Sequence, residues 1–530
     1  MTLTKHNIKI AHTASFSSLV NDYVNRDEKL KEFISDFPSE ISIQKAMEEK
    51  QFSLEKRIVL VDVLKSQYAH LNVSELVQQN IESLLQENTF SICTAHQPSI
   101  FTGYLYFIYK IIHAIKLSNE CKALFPANSF VPIFFIGSED NDLEEIGAFN
   151  LLGKKYQWQT NQQGSCGEMD TADLVPIIDE IKKYLNTGIE DEKELLAIFQ
   201  NAYKANQNLA DATRYIVNEL MGRFGIVCID GNEPRLKSLY KDVLKDELLH
   251  QQSFKIVSKT IDKLSVNYHG QAKPRELNLF HKKYNSYRER IELKEGIYEV
   301  VNSDLKFTAQ EMLVELENHP EHFSPNVILR PMYQETILPN IAFIGGGGEL
   351  AYWMQLKDLF AHYDVQFPVL FLRNSLLFID EKSSAQIDKL GLTLDQLFIP
   401  TNELNNLLLA KNNVIHQLEA FEKNIELQLN EMVQLATTVS MPLEESVKAH
   451  RQKNLNIVNR IHEKFAAHIK RKEVDTYSKI AFIKENLFPN NSLQERHDNV
   501  ISLYKMYGKN LFDILLENEE GFGEEFIVMK

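Results

Sequence analysis

The chain has 530 residues, of which 44% are hydrophobic and 25% are charged, and its formal net charge is −16. This composition is typical of globular proteins, and the length predicts roughly two to four domains. The negative charge and the absence of a Lys- or Arg-rich run argue against a nucleic-acid partner, and the absence of a ~20-residue apolar run argues against a membrane protein.

Cysteine usage and the first residues bear on the cellular compartment. The four cysteines, Cys93, Cys121, Cys166 and Cys228, are scattered and include no CxxC pair, and the first residues lack the apolar core of a signal peptide. Few cysteines in a long chain are typical of a reducing compartment. We therefore expect a cytoplasmic protein, and the cysteine spacing does not support a metal site.

Residues 1–89 are predicted to form a helical layer on the core. Apolar residues recur at helical spacing in 39–50, 56–71 and 72–86, with Asn72 as the predicted N-cap of the last helix. These residues carry no pattern that indicates chemistry.

Residues 90–155 are predicted to begin an α/β core. A short apolar run at 90–93 leads into a polar turn at 94–103 and then into a helix from about Tyr104. Unpaired backbone N–H groups and the helix dipole favour anionic groups at such a junction. We expect this turn, which carries His96 and Gln97, to form one wall of an active site.

A second buried strand, 131–137, runs into the polar sequence SEDNDLEE. The side chains of interest there are those of Glu139, Asp140, Asn141 and Asp142. They suit binding of an ammonium group or sugar hydroxyls, ligation of Mg²⁺ through oxygen, or general-base catalysis. The alternative is a solvated acidic loop, which is less expected directly after a buried strand.

Two insertions are predicted to interrupt the core. Residues 156–222 are polar and then helical, over 171–185 and 192–221, and residues 253–325 mix short strand-like runs with a basic cluster. Between them, residues 223–252 continue the core with a strand at 225–231 and a helix at 234–251. In the second insertion, Thr308 and Glu311 have the spacing of a capping box.

Residues 326–395 are predicted to complete the core. Four glycines, Gly345, Gly346, Gly347 and Gly348, separate an apolar run at 341–344 from a helix at 349–362, and a strand follows at 367–373. Glycine permits positive φ and close backbone approach, so this is a second strand–turn–helix unit. The pattern matches neither the GxGxxG fingerprint nor the P-loop.

Several cations are candidates for binding anions. Arg330 offers a bidentate fork for carboxylate or phosphate, the alternative being a surface ion pair, and Arg373 follows a core strand. The basic cluster of the second insertion could gather over the site, although solvated charge is the simpler interpretation. Its members are Lys273, Arg275, Arg288 and Arg290.

Residues 396–488 are predicted to form a helical coiled-coil hairpin, followed by a C-terminal helical segment at 489–530. Two rows recur every seven residues, and nine of their eleven positions are apolar. The rows are Leu404, Lys411, Leu418, Ile425, Met432 and Val439, and Leu407, Val414, Phe421, Gln428 and Leu435. Pro442 separates them from a second helix over 443–472, which indicates an antiparallel hairpin. A seam buried within one chain and a seam between two copies explain the pattern equally well. A capping box at Ser492 and Glu495 is predicted to start the last helix.

The motifs above resemble those of one known family. The turn TAHQPSIFTGYLYFIYK is similar to the TGQQ-x-x-x-x-TG-x-LY-x-x-x-K signature of the bacillithiol-biosynthesis cysteine-adding enzymes, the BshC family. Four further blocks follow in the family's order: VPIFFIGSEDNDLEEI, PRELNLF with RERI, ILRPMYQETILPNIAFIGGGGELAYW, and LQERHDNVISLYKMYG. Ala95 and His96 depart from the family's Gly and Gln, and the glycine tract stands where many members have GGPGE. The His96 change introduces an ionisable group into the turn.

The resemblance implies a fold and a reaction. The fold is α/β, with a Rossmann-like parallel-sheet core akin to class I aminoacyl-tRNA synthetases and nucleotidylyltransferases, insertions, and a C-terminal coiled coil that makes a homodimer. The reaction joins the carboxyl group of L-cysteine to the amine of glucosaminyl-malate in the last step of bacillithiol biosynthesis. Amide formation from a free carboxylate requires activation, so ATP or ADP and Mg²⁺ are the cofactors to expect, although neither a nucleotide pocket nor a metal-ligand set is assigned.

The predicted site follows from these two lines of reasoning. The predicted catalytic residues are His96, Gln97, Asp140 and Asp142. The predicted substrate- or nucleotide-binding residues are Thr102, Gly103, Tyr106, Glu139, Asn141, Arg330, Gln334, Glu335, Gly345, Gly346, Gly347, Gly348, Glu349 and Arg373. His96, Gln97, Thr102 and Gly103 are expected to contact phosphate or a developing oxyanion. The alternative functions are another nucleotide-dependent transferase on the same core and a non-catalytic coiled-coil protein that binds a ligand.

Overall fold

The computed structural model describes residues 3–185, 188–204, 207–410, 413–472 and 474–530. The strands are β1 Lys5–Lys9, β2 Thr89–His96, β3 Ser129–Ile136, β4 Ala148–Leu151, β5 Lys154–Gln157, β6 Val227–Asp230, β7 Leu279–Lys283, β8 Tyr287–Lys294, β9 Ile297–Val300, β10 Lys306–Thr308, β11 Phe323–Pro325, β12 Asn340–Gly345, β13 Val369–Leu372, β14 Ser375–Phe378 and β15 Glu525–Met529.

The α-helices alternate with these strands and then dominate the C-terminal third. They are α1 Ser18–Val24, α2 Glu40–Glu49, α3 Leu54–Tyr68, α4 Glu75–Ser83, α5 Leu105–Leu124, α6 Leu143–Ile146, α7 Val175–Tyr184, α8 Glu190–Ala202, α9 Leu209–Met221, α10 Pro234–Ser238, α11 Lys241–His250, α12 Gln252–Leu264, α13 Ala309–Asn318, α14 Arg330–Ile337, α15 Gly347–Trp353, α16 Lys357–His362, α17 Glu381–Leu390, α18 Thr401–Ala410, α19 Asn413–Thr437, α20 Met441–Lys472, α21 Val474–Leu487, α22 Val500–Tyr507 and α23 Leu511–Asn518.

The core is a five-stranded parallel sheet in the order β13-β12-β2-β3-β6. Its strands are continuous apolar runs because helices cover both faces. The chain crosses the sheet from β2 through β3 to β6 and later returns to β12 and β13 on the other side of β2. The switch of direction lies between β2 and β12, where open α/β sheets bind ligands beyond the carboxyl ends of the strands. The predicted α/β parallel-sheet fold is confirmed.

The second insertion forms an antiparallel sheet in the order β10-β9-β8-β7-β11. A third sheet pairs β15 with β1 on one side and with β14 on the other, so it joins the two ends of the chain beside the core. Strands β4 and β5 form a separate hairpin.

Several predicted helix boundaries are wrong for local reasons. The predicted helices at 234–251 and 349–362 are each two helices, and the one at 192–221, which includes residues outside the described ranges, is also two. Ser74, not Asn72, caps α4 through Val77 N–H. Ser492 and Glu495 do not form a capping box, since Asn499 caps α22 instead. The capping box at Thr308 and Glu311 is confirmed.

Helices α19 and α20 form the predicted antiparallel hairpin. Contacts between them pair Glu422 with His462 and Glu426 with Arg451, so residue numbers rise along one helix as they fall along the other. The predicted heptad rows mostly point away from this contact, because Phe421 is 63% exposed and Leu435 is 68% exposed. The buried side chains of α19 are instead those of Ile415 and Ala436. The predicted seam position Lys411 lies outside the described residues.

No helix in the described ranges combines the length and the apolar composition that a bilayer-spanning helix needs.

Candidate active site

A cavity of about 970 Å³ opens at the carboxyl edge of the parallel sheet. Every core strand ends at it, and the second insertion covers one side. The predicted site residues that line it are His96, Gln97, Tyr106, Glu139, Asp140, Asn141, Asp142, Arg330, Gly346, Gly347, Gly348, Glu349 and Arg373. The His96 turn and the glycine turn therefore border the same cavity. The chemical role of each residue stays a prediction.

The turn after β2 has an unusual backbone. Phe101, Thr102 and Gly103 have consecutive φ values of 50°, 67° and 60°, and left-handed non-glycine residues cost about 1–3 kcal/mol each. The Asn499 amide donates hydrogen bonds to the carbonyls of Phe101 (2.8 Å) and Gly103 (2.6 Å). Phe101 N–H donates to the Tyr203 hydroxyl at 2.6 Å. These bonds hold the strained turn, and they place Thr102 and Gly103 behind the cavity wall rather than on it.

His96 is a neutral group in this cavity. Its ring packs against Tyr106 and Phe107, with centroids 5.3 and 5.5 Å away. Burial, reinforced by the positive charge of Lys110, lowers the His96 pKa to about 4. Nδ1 lies 3.0 Å from the carbonyl of Gln97, and a carbonyl can only accept, so Nδ1 carries the proton and Nε2 is left as an acceptor. His96 therefore contributes no positive charge toward a phosphate.

Lys110, in the last position of the TG-x-LY-x-x-x-K motif, connects the two turns. Its side chain is 4% exposed and forms an ion pair with Glu349, and its Nζ donates to the carbonyl of Ala95 at 2.9 Å. Glu349 also accepts from Gly346 N–H at 2.9 Å. Burial opposes ionisation of Glu349, but Lys110 outweighs it and holds the Glu349 pKa below its usual value.

Crowding, and not backbone angle, explains two of the four glycines in the tract. None of the four glycines has a positive φ, contrary to one of the two reasons given for them. A Cβ at Gly345 would lie 2.9 Å from the Phe343 ring, and one at Gly347 would lie 2.8 Å from Val20. A side chain is therefore excluded at Gly345 and Gly347, whereas a Cβ at Gly346 or Gly348 would make only ordinary contacts, at 3.6 Å or more. Gly345 itself does not line the cavity.

Side chains from three other segments of the chain contact the acidic loop that follows β3. Glu139 is bound by Lys237 at 2.7 Å, so its charge is already balanced. Asp140 accepts from the Gln97 amide at 2.9 Å, and Asn141 accepts from Arg288 at 3.3 Å. Among the described residues, no three carboxylates of this loop lie close enough together to bind one ion.

Arg288 was expected to be solvated, and this expectation is wrong. It is 9% exposed and lines the cavity. Its guanidinium lies 3.9 Å from the Phe280 ring and donates to Ser324 and Pro325. Lys273 and Arg275 also line the cavity, so the second insertion brings part of its basic cluster over the site. Sequence reasoning missed the burial of Arg288 because its hydrogen-bond partners, Ser324 and Pro325, lie 36 and 37 positions away along the chain.

Two arginines on the core side differ in their partners. Arg373 makes a bidentate ion pair with Glu495, at 2.6 and 2.9 Å, and its guanidinium lies 5.5 Å from the Tyr106 ring. Arg330 donates only to neutral groups, Gln334 at 3.1 Å and Tyr352 at 3.1 Å. Within the described residues no carboxylate lies within 4.0 Å of it, so the predicted alternative of a surface ion pair is wrong.

Gln334 and Glu335 lie beneath the cavity and not on its surface. They are 0% and 2% exposed. Gln334 and Asn340 donate to the Glu335 carboxylate at 2.8 and 2.9 Å. Burial raises the Glu335 pKa to about 7. Both residues belong to α14, the helix that begins at Arg330, and neither side chain lines the cavity.

Sequence reasoning assigned no role to the C-terminal block or to the buried lysines. Glu495 and Asn499 in the block LQERHDN hold Arg373 and the strained turn, and Arg496 lines the cavity. The only signal in the sequence was that this block and Lys110 belong to the family motifs. All four cysteines are buried and free, and burial raises their pKa values, to about 12 for Cys166.

Family models and named relatives match this chain over nearly its whole length. Residues 3–374 match the family model described as "Bacillithiol biosynthesis BshC, N-terminal Rossmann-like domain", and residues 376–530 match the model of its C-terminal coiled-coil domain. A protein named "Putative cysteine ligase BshC" from Flavobacterium psychrophilum is 39% identical over 521 residues, 97% of each chain. A protein of the same name from Flavobacterium johnsoniae is 38% identical over 511 residues, 95% of each chain.

A solved structure of a putative arginyl-tRNA synthetase from Campylobacter jejuni covers 85% of this chain and 100% of its own, at 10% identity and a TM-score of 0.23. That similarity is too low to support an argument, so the likeness to class I synthetases stays a prediction. The family models and the near full-length relatives settle the family. With its Rossmann-like core and C-terminal coiled coil, the chain belongs to the BshC family of bacillithiol biosynthesis.

Proposed function

We propose that this chain is a ligase that joins the carboxyl group of L-cysteine to the amine of glucosaminyl-malate in the last step of bacillithiol biosynthesis. The observation that carries the proposal, beside family membership, is the division of charge within one cavity. The cavity is lined by cations that have no carboxylate within 4.0 Å in the described residues, and by aspartates of the acidic loop that have no Lys, Arg or His within 4.0 Å there. The two substrates carry both carboxylates and amines.

The cations suit the carboxylates of malate and the phosphates of a nucleotide. Arg330 presents a planar fork whose charge no protein carboxylate neutralises within the described residues, and a guanidinium binds carboxylate or phosphate bidentately. Lys273, Arg275 and Arg496 add positive charge at the mouth of the cavity. Arg373 is a weaker candidate because Glu495 already neutralises it.

Asp140 and Asp142 suit the amines. Within the described residues, neither has a Lys, Arg or His partner within 4.0 Å, whereas Glu139 is paired with Lys237. Asp140 is oriented by Gln97, and Asp142 by Glu145 N–H. Either carboxylate would bind the ammonium group of cysteine or accept the proton of the attacking sugar amine.

Activation of the cysteine carboxyl group requires a co-substrate. We propose ATP, delivered with Mg²⁺. Attack of the carboxylate on the α-phosphorus would give an acyl-adenylate and release pyrophosphate, and attack on the γ-phosphorus would give an acyl-phosphate and release ADP; the sugar amine would then displace AMP or phosphate. Fixed cations in a partly enclosed cavity stabilise the negative charge that develops on phosphate and on the tetrahedral oxygen. His96, neutral and with Nε2 as an acceptor, would bind a hydroxyl or amine hydrogen of a substrate.

A direct assay tests the function. The protein is incubated with cysteine, glucosaminyl-malate and ATP, and mass spectrometry should detect the amide-linked thiol product. Exchange of pyrophosphate into ATP that depends on cysteine would indicate an adenylate. Product formed without nucleotide would refute nucleotide-dependent activation, and no product under any of these conditions would favour another transferase or a non-catalytic role.

We further propose that the hairpin pairs with that of a second copy. Phe421, Met432, Leu435 and Val439 are between 58% and 68% exposed and lie at the predicted heptad positions. An apolar row of this length on a helix is rarely left in water. Sedimentation velocity should show a dimer, and Phe421→Glu with Leu435→Glu should shift it to a monomer. A wild-type monomer at tens of micromolar would refute the pairing.

A further inference from the structure

Three histidines and two glutamates cluster on the second insertion, away from the cavity. His281 lies on β7, Glu315 on α13, and His319, Glu321 and His322 around the short 3₁₀ helix that precedes β11. None of the five lines the cavity. This cluster takes no part in the proposed ligase reaction.

His281 is the buried centre of the cluster. It is 3% exposed, and the rings of Phe307 and Phe323 lie 5.7 and 5.8 Å from its own. Its Nδ1 is 2.9 Å from the Tyr287 hydroxyl. Its other nitrogen, Nε2, faces the Glu315 carboxylate at 3.3 Å. In metal-binding histidines, a hydrogen bond to one ring nitrogen usually orients the ring so that the other nitrogen can bind the metal.

His322 approaches the same carboxylate from a different element. Its Nδ1 is 2.6 Å from the same Glu315 oxygen that faces His281. One ligand atom each from His281, Glu315 and His322 lie within 4.8 Å of one another. Two imidazoles and a carboxylate that converge in this way match a three-ligand zinc site with a fourth position for water.

We propose that His281, Glu315 and His322 bind one divalent transition-metal ion, with Zn²⁺ as the best chemical match. Imidazole nitrogens are poor ligands for Mg²⁺ and Ca²⁺, which take oxygen, so the donor set separates this site from any Mg²⁺ that accompanies ATP. Tyr287 is the outer partner that orients His281. His319, whose ring stacks on that of His322 with centroids 4.8 Å apart, lies beside the site.

The ion would fasten α13 and the 3₁₀ helix to β7. Directly after His322 comes β11, where Ser324 and Pro325 accept hydrogen bonds from Arg288. The metal would therefore stabilise the segment that positions Arg288 over the cavity. Metal binding itself does not depend on which reaction the cavity catalyses.

The test is metal binding by the full-length protein without an affinity tag. After treatment with a chelator, the protein is titrated with Zn²⁺ by calorimetry, and native mass spectrometry counts the bound ions. We expect one tightly bound ion per chain. His322→Asn should weaken binding by more than about 100-fold, and Tyr287→Phe by about 10-fold to 100-fold.

The matched control is His250→Asn. His250 is exposed and pairs with one carboxylate, Asp246, at 2.6 Å, without a third ligand in the described residues. Its replacement should leave Zn²⁺ affinity unchanged. Circular dichroism checks that each variant is folded, and Co²⁺ should give a tetrahedral absorption band in the wild type that His322→Asn abolishes. Absence of stoichiometric binding, or equal affinity in wild type and His322→Asn, would overturn the proposal.

Discussion

The charged groups of the cavity fall into two sets that differ in their partners. In the paired set, Lys110 binds Glu349 and Arg373 binds Glu495, and all four side chains are largely buried. In the open set, no carboxylate within the described residues lies within 4.0 Å of the cation. The open set is Lys273, Arg275, Arg330 and Arg496. Paired charges fix the shape of the cavity, whereas open charges remain available to a ligand.

The largest effect is expected from breaking the paired set. Lys110→Met leaves Glu349 buried without a cation, and removal of one member of a buried pair costs about 3–5 kcal/mol. The thermal unfolding midpoint should fall and activity should be lost. The double variant Lys110→Met with Glu349→Gln should recover most of the midpoint but not the activity. If the single variant unfolds at the wild-type temperature, the paired set has no structural role.

The next effect concerns the two buried histidines. Burial lowers the pKa of His96 and of His113 to about 4, against 6.5 in the unfolded chain. The unfolded chain therefore binds protons first as the pH falls, so each histidine lowers the free energy of unfolding between pH 6.5 and pH 4, by about 3 kcal/mol per histidine over that range. His96→Asn and His113→Asn should each make the free energy of unfolding less dependent on pH in this range, as measured by denaturant unfolding at several pH values.

Only one of these histidines lies in the cavity, and this provides the control. His113 contacts the Gly521 carbonyl at 2.9 Å and does not line the cavity. At pH 7.5, His96→Asn should therefore reduce turnover with little change in stability, and His113→Asn should retain turnover. Equal loss of activity and melting temperature in His96→Asn would mean that His96 only packs the core.

A smaller effect is expected from the open set. Arg330→Gln removes a charged hydrogen bond to substrate worth about 1.5–3 kcal/mol, which corresponds to roughly a 10-fold to 150-fold loss of kcat/KM. The thermal midpoint should stay near the wild-type value because no protein carboxylate loses a partner. Arg290→Gln is the control, since Arg290 pairs with Glu292 at 3.1 Å and does not line the cavity. A change in stability without a change in kinetics would place Arg330 in the paired set.

The sequence predicted those parts of the site that one stretch of chain encodes. Each wall begins as a buried apolar strand, ends at a polar or glycine turn and continues as a helix, and this local pattern located His96, Asp140 and Gly346 correctly. The parallel order of strands then brings their carboxyl ends together, whatever the distance in sequence. The sequence alone therefore predicted that these three residues lie near the same edge of the sheet.

Features that depend on a partner far along the chain were not predictable. Asn499 holds a turn almost four hundred positions before it, and Arg288 is buried by a strand of its own insertion. The heptad rows showed where apolar residues lie but not which helix covers them. Periodicity gives the face of an element, whereas the identity of the covering partner is settled only by tertiary packing.

The hydrogen bonds from Asn499 to the strained turn limit where the chain can be divided. The two family models meet between residues 374 and 376. Strand β15, Glu495 and Asn499 belong to the second part, yet they contact β1, Arg373 and the Phe101 turn of the first part. A fragment that stopped at the boundary would expose an orphaned guanidinium at Arg373 and release the bend at Phe101. The boundary between the two models is thus not a point at which the chain can be cut, and engineered shortening should excise the hairpin internally while keeping both flanking ends.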